Sequence, residues 1–183
     1  MRAMLAVLVA LFLSACCGCA SAPTCDALHD TTLRLEFGHG ICSGTAIGPH
    51  TILTAQHCLK NDTLKLVNNK PVKVTGIGRD KHDALTLRLS GITFKTWARM
   101  GHMPHQGDRI RWWGNPRIGN MIARDVYREG HVAALEDGLI IYDASICFGD
   151  SGSGIFNDRG EVVGVISAMT DFNGCTFMLA YPL

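Results

Sequence analysis

The stretch Cys147-Phe148-Gly149-Asp150-Ser151-Gly152-Ser153-Gly154 places one serine between two close glycines, with an acid directly before it. Gly149 and Gly152 can take backbone angles that a side chain forbids, so the chain can turn sharply here and hold the Ser151 hydroxyl outward. The same turn can aim the backbone N–H groups of Gly149 and Ser151 into one small space. Two such donors stabilise the negative oxygen of a tetrahedral acyl-transfer intermediate. A serine hydroxyl alone is a weak nucleophile; the chemistry needs a base and a group to orient that base. A plain Gly/Ser-rich turn between strands is the competing reading.

The candidate base is His57, in Thr54-Ala55-Gln56-His57-Cys58. It follows directly on an apolar strand pattern, so a rigid element can hold it. The candidate orienting group is Asp83, in His82-Asp83-Ala84-Leu85-Thr86-Leu87. An acid behind His57 fixes the imidazole tautomer and stabilises the imidazolium. Asp80 competes for this role but lacks the alternating apolar run that follows Asp83.

In this order the three segments resemble the T-A-x-H-C, D-x-A-L-x-x-L and G-D-S-G-[GS] segments of trypsin-like, chymotrypsin-fold serine proteases. The resemblance runs from about Thr31 to the C-terminus. It implies a serine endopeptidase with His57, Asp83 and Ser151 as catalytic triad and the N–H groups of Gly149 and Ser151 as oxyanion hole. It implies protein or peptide substrates and neither an organic cofactor nor a metal. The implied fold is all-β: two six-stranded antiparallel barrels, 31–98 and 108–183, joined by 99–107, with the active site in the cleft between them. Trimmed loops and the lack of the family's C-terminal helix point to a small bacterial or phage-type version. A catalytically silent peptide-binding relative and an esterase on the same fold are the alternatives, although no triad residue is lost.

The same resemblance implies two disulfides, Cys42–Cys58 bracing the histidine loop and Cys147–Cys175 tying the pocket walls. Cys25 has no counterpart. It also places Ser145, Ile146, Ser167, Met169 and Leu179 at the substrate pocket. Ser145 stands where trypsin-type members carry an aspartate, and Ser167 matches the serine near the buried acid. Small or medium uncharged residues are therefore expected before the cleaved bond. No Ile-Val-Gly-Gly activation sequence precedes Cys42, so Asp150 needs an internal partner, and Arg109 or Arg111 is the expected one.

The elements that must position these residues read as short strands. Leu33, Leu35 and Phe37 alternate with polar residues, the signature of a half-buried strand. Ile41 to Ile47 and Thr51 to Thr54 read as a hairpin, and a second hairpin turns at Asn68-Asn69. Leu85, Leu87 and Leu89 alternate after Asp83. Further strands are expected over 108–113, 121–126, 131–135 and 139–142. Residues 154–156 and 162–166 should pair around Asn157-Asp158-Arg159-Gly160, with a last strand over 177–181. Helical periodicity is nearly absent after the N-terminal segment, which supports an all-β barrel.

The N-terminus reads as a targeting segment. Arg2 precedes the apolar run Met4 to Leu13, and about ten apolar residues are too few to span a bilayer as a helix. Leu13-Ser14-Ala15-Cys16 resembles the lipobox of bacterial lipoproteins. Residues 1–15 are then a signal peptide, Cys16 is lipidated and 16–30 is a tether; cleavage after Ala20 is the alternative. Either way the protein is exported, lipid-anchored in the bacterial envelope or secreted. Eight cysteines agree with an oxidising compartment. A formal net charge of +1 with no basic run gives no basis for a nucleic-acid partner. His102 and His105 read as surface histidines, and the protein is expected to be a monomer.

Overall fold

Leu33, Leu35 and Phe37 all point into a core, and the residues between them are partly exposed. That period of two sets the pattern for nearly the whole chain in this computed structural model. The structure describes residues 25–60, 62–80, 82–118, 120–136, 139–172 and 175–182, with only the backbone of 25–26, 169–172, 175–179 and 181–182. The expected signal segment, Cys16, Cys17 and Cys19 lie outside the described residues.

The elements begin with a short helix, α1 (Cys25–His29). The strands of the first half are β1 (Thr32–Phe37), β2 (Gly40–Gly48), β3 (Thr51–Ala55), β4 (Leu66–Val67), β5 (Lys70–Pro71), β6 (Lys73–Arg79) and β7 (Ala84–Ser90). A single 3-10 turn, Gln56–Cys58, follows β3. The strands of the second half are β8 (Arg99–Met100), β9 (Arg109–Gly114), β10 (Arg117–Ile118), β11 (Met121–Ile122), β12 (Val126–Glu136), β13 (Leu139–Tyr142), β14 (Gly154–Phe156), β15 (Glu161–Phe172) and β16 (Cys175–Pro182).

The first seven strands form one curled sheet in the order β5-β4-β1-β2-β3-β7-β6. The second sheet runs β14-β9-β12-β13-β16-β15-β8, and β14 also pairs with β15. That extra pairing closes six antiparallel strands into a ring, with β8 added parallel to β15 at the edge. One apolar cluster fills the first sheet and takes in Trp113, Phe156, Val162 and Val165 from the second. A separate cluster around Trp112, Ile140, Tyr142 and Ile155 fills the second. The shared side chains fix the two halves against each other, and with them the cleft.

Several elements differ from expectation for identifiable reasons. The end of the expected tether is helical in α1, where Leu28 is buried. The strands expected over 121–126 and 131–135 are instead a two-residue β11 and a long β12 that runs through Gly130. A Cβ at Gly130 would crowd the Asp143 carbonyl and the Ala144 side chain, so this glycine permits a close approach rather than ending a strand. The Asn68-Asn69 turn is as expected, with both residues at positive φ (47° and 66°), the conformation a two-residue hairpin favours.

Candidate active site

His57 sits in the 3-10 turn at the end of β3, where the chain leaves the first sheet. Three contacts hold that turn. Gln56 N–H donates to the Asp83 carbonyl at 2.6 Å, Leu59 N–H donates to the Gln56 carbonyl at 3.0 Å, and Cys58 is disulfide-bonded to Cys42. Asp83 directly precedes β7, the strand beside β3. Its Oδ1 accepts the His57 backbone N–H at 2.9 Å, and its Oδ2 lies 2.7 Å from His57 Nδ1. The Ser167 hydroxyl also donates to Oδ2. Burial pushes the Asp83 carboxyl up. The hydrogen bonds from His57 and Ser167, with the His57 charge and backbone N–H, outweigh it and hold the carboxyl below its ordinary value. Asp80 plays a different part, because its Oδ1 accepts the N–H groups of His82 (2.8 Å) and Ala84 (3.2 Å) and so shapes the turn before β7.

Ser151 and His57 line one cavity of about 440 Å³. The loop carrying Ser151 is strapped to the first sheet. Ser43 N–H donates to the Ser151 carbonyl and Ser43 Oγ–H to the Gly149 carbonyl, both at 2.8 Å. Gly149 (φ +101°) and Gly152 (φ +87°) occupy the left-handed region. A Cβ at Gly149 would overlap the Asn115 carbonyl, and one at Gly152 would overlap the Ser43 carbonyl and the Thr54 hydroxyl. Both positions thus require glycine twice over. The Phe148 carbonyl accepts from the Arg117 N–H at 2.6 Å. A trans peptide holds its N–H opposite its carbonyl, so this anchor turns the Gly149 N–H to the other side. Among the described residues neither the Gly149 nor the Ser151 N–H donates to a protein group.

Residues 42–165 match the trypsin-like peptidase domain family. The chain belongs to that family. It is 32% identical over 139 residues to Protease Do-like 2, chloroplastic, of Arabidopsis thaliana. The match covers 67% of this chain but only 23% of that relative's length. A Glu endopeptidase solved in complex with MPD superposes with a TM-score of 0.67 at 18% identity, over 84% of this chain and 85% of that one. Neuropsin, a serine protease expressed in the limbic system of mouse brain, gives 0.68 at 18% identity, over 85% of this chain and 90% of that one. The fold is the chymotrypsin type.

Within this family member the acid before Ser151 is wholly buried. Asp150 Oδ2 accepts the Cys147 N–H at 2.8 Å and lies 3.5 Å from Arg128 Nη2. The expected partners, Arg109 and Arg111, are not the ones used: Arg109 pairs with Glu129 at 2.6 Å. Burial pushes the Asp150 carboxyl up, against the pull of the Cys147 N–H and the Arg128 charge. The signal for Arg128 was strand parity. It shares the inward face of β12 with Gly130 and Val132, where an arginine needs a buried reason. Ser43 and Asn115 were also missed. Asn115 is buried, and its backbone N–H donates to Ser43 Oγ at 2.9 Å, which ties the two sheets behind the loop.

The pocket residues divide. Ile146 and Ser167 line the cavity, beside Cys147, Phe148 and Ala168. Ser145 does not line it; the Ser145 Oγ accepts from Arg128 Nη1 at 3.2 Å. The side chains of Met169 and Leu179 lie outside the described residues. The Cys42–Cys58 disulfide is present. The expected Cys147–Cys175 bridge is not formed, since Cys147 carries a free thiol. Its sulfur is turned to Arg128 Nη2 at 3.7 Å, while Cys175 pairs with Phe172 at the tip of the β15–β16 hairpin.

Proposed function

We propose that this protein is a serine endopeptidase acting through Ser151, His57 and Asp83. The observation that carries the reading is the double hold of Asp83 on His57, opposite a serine in a loop of enforced geometry. With Nδ1 engaged by Asp83, Nε2 is the ring nitrogen left to serve Ser151. Ser151 Oγ attacks the substrate carbonyl carbon as its proton passes to His57 Nε2. The N–H groups of Gly149 and Ser151 receive the developing oxyanion; each such donor is worth about 2.7–4 kcal/mol in barrier height. Collapse breaks the C–N bond, and His57 gives its proton to the departing amine. Water then repeats the sequence on the acyl-enzyme, with His57 again as base. Asp83 stays ionised throughout and stabilises the imidazolium.

The substrate is a protein or peptide chain crossing the cleft. The residue before the cleaved bond is held against Ile146, Ser167 and Ala168 and is small or medium and uncharged. The Cys42–Cys58 disulfide supports an oxidising compartment, and the Leu13–Cys16 segment supports export with lipid on Cys16. The deciding experiment is labelling by a fluorophosphonate probe. Wild-type protein should label and Ser151→Ala should not; equal labelling of both would overturn the reading.

A further inference from the structure

The cleft wall that belongs to the first sheet presents basic side chains. Beyond His57, the residues lining the cavity there include His39 and Lys60, and among the described residues neither aspartate nor glutamate lines the cavity. His39 lies in the turn between β1 and β2, and Lys60 follows the 3-10 turn that carries His57. The Cys42–Cys58 disulfide joins these two segments and lines the same wall.

On the endopeptidase reading, a departing chain segment runs along this wall. The acyl side of a substrate is held by the second sheet, through Gly149, Ser151, Ile146 and Ser167. His57 must reach the leaving nitrogen, so the leaving segment passes His57 on the first-sheet side, along the disulfide toward His39 and Lys60.

Both basic groups are presented from anchored backbone. Lys60 is exposed and sits at φ +32°, a region few non-glycine residues enter. Its turn is fixed by the Leu59 N–H on the Gln56 carbonyl (3.0 Å) and the Asp62 N–H on the Leu59 carbonyl (2.6 Å). No ion pair engages Lys60 among the described residues. His39 stacks on Phe37 with ring centroids 5.8 Å apart, and its Nδ1 lies 3.3 Å from Asp62 Oδ2. Asp62 is already committed, because it also accepts the Thr63 N–H at 2.7 Å and interacts with Lys65.

We propose that Lys60, with His39 beside it, forms an acid-selective subsite for the first two residues after the cleaved bond. The inference rests on the endopeptidase reading and adds to it a preference for aspartate or glutamate in the leaving segment. An exposed pair of opposite charges at contact distance is worth about a fivefold preference.

The test uses internally quenched peptides identical up to the cleaved bond, with Ala, Glu or Lys at the two positions after it. Wild type should cleave the Glu peptide about fivefold faster than the Ala peptide at low salt, with the Lys peptide slower than both. The spread should collapse at 1 M salt, where the screening length falls to about 3 Å. Each variant is read against its own Ala peptide. The Glu-to-Ala ratio should fall to near one in Lys60→Gln and drop below one in Lys60→Glu. Equal cleavage of all three peptides by wild type, or a Glu preference intact in Lys60→Glu, overturns the subsite and leaves the endopeptidase reading standing. If no peptide is cleaved and Ser151 does not label with fluorophosphonate, both readings fail together.

Discussion

Both carboxylate oxygens of Asp83 are committed to His57: Oδ1 accepts its backbone N–H at 2.9 Å and Oδ2 faces its ring Nδ1 at 2.7 Å. One bond fixes the turn that carries the histidine and the other fixes the ring. Asp83 therefore sets the position and the tautomer of His57 together, and its replacement should separate chemistry from stability.

In Asp83→Asn an amide replaces one oxygen, and its N–H can face Nδ1 and favour the wrong tautomer. Turnover of a reactive peptide or ester should fall by about 10⁴, the loss this exchange causes in the chymotrypsin-type template. Circular dichroism should show the fold retained. A variant that keeps a tenth of wild-type activity would contradict the orienting role.

The pH dependence of stability follows from two carboxyls with opposite signs. Asp83 is held below its ordinary value in the folded state, so its contribution is complete well above the unfolded value of about 3.9 and is lost as pH falls through the folded one. Asp150 is pushed up; it favours folding while protonated, and that contribution is lost as pH rises through its raised value. Urea unfolding between pH 2 and pH 5 should show a shallower acid-side loss in Asp83→Asn than in wild type. Identical slopes would remove Asp83 as its source.

Arg128 is the cation nearest the buried Asp150 carboxylate. Arg128→Met leaves that charge without it and should cost about 3 kcal/mol at pH 8. The loss should shrink at pH 4, nearer the raised Asp150 value, because uptake of a proton removes the need for the cation. Urea unfolding at the two pH values checks this; an equal loss at both would assign the effect to packing alone.

Gly152→Ala places a methyl group against the Ser43 carbonyl and the Thr54 hydroxyl at a backbone angle that alanine resists. It should destabilise the protein by more than about 1 kcal/mol and abolish fluorophosphonate labelling of Ser151. Gly40→Ala is the control, because a Cβ there meets nothing within 4 Å. Wild-type labelling of Gly152→Ala would show that the loop tolerates another shape.

The sequence by itself determined the strand pattern and singled out the triplet on which the proposed function rests. Leu33, Leu35 and Phe37, or Leu85, Leu87 and Leu89, alternate because a strand exposes its two faces in turn, and that period is local. The glycines around Ser151 announce left-handed backbone for the same local reason. What the tertiary structure decided are the relations between distant segments. Arg128 faces inward on β12, but that Asp150 lies opposite follows only from β12 folding beside the Ser151 loop. Ser43 and Asn115 look like ordinary polar residues until the two sheets bring them behind Gly149. The Cys147 thiol is free and turned to Arg128, and no cysteine count contains that information. The basic wall of the cleft arises in the same way. His39 and Lys60 are separated in sequence, and packing around the Cys42–Cys58 bridge puts them on one surface. Periodicity is written in neighbouring residues, whereas a cleft is made by segments that meet only after the chain has closed.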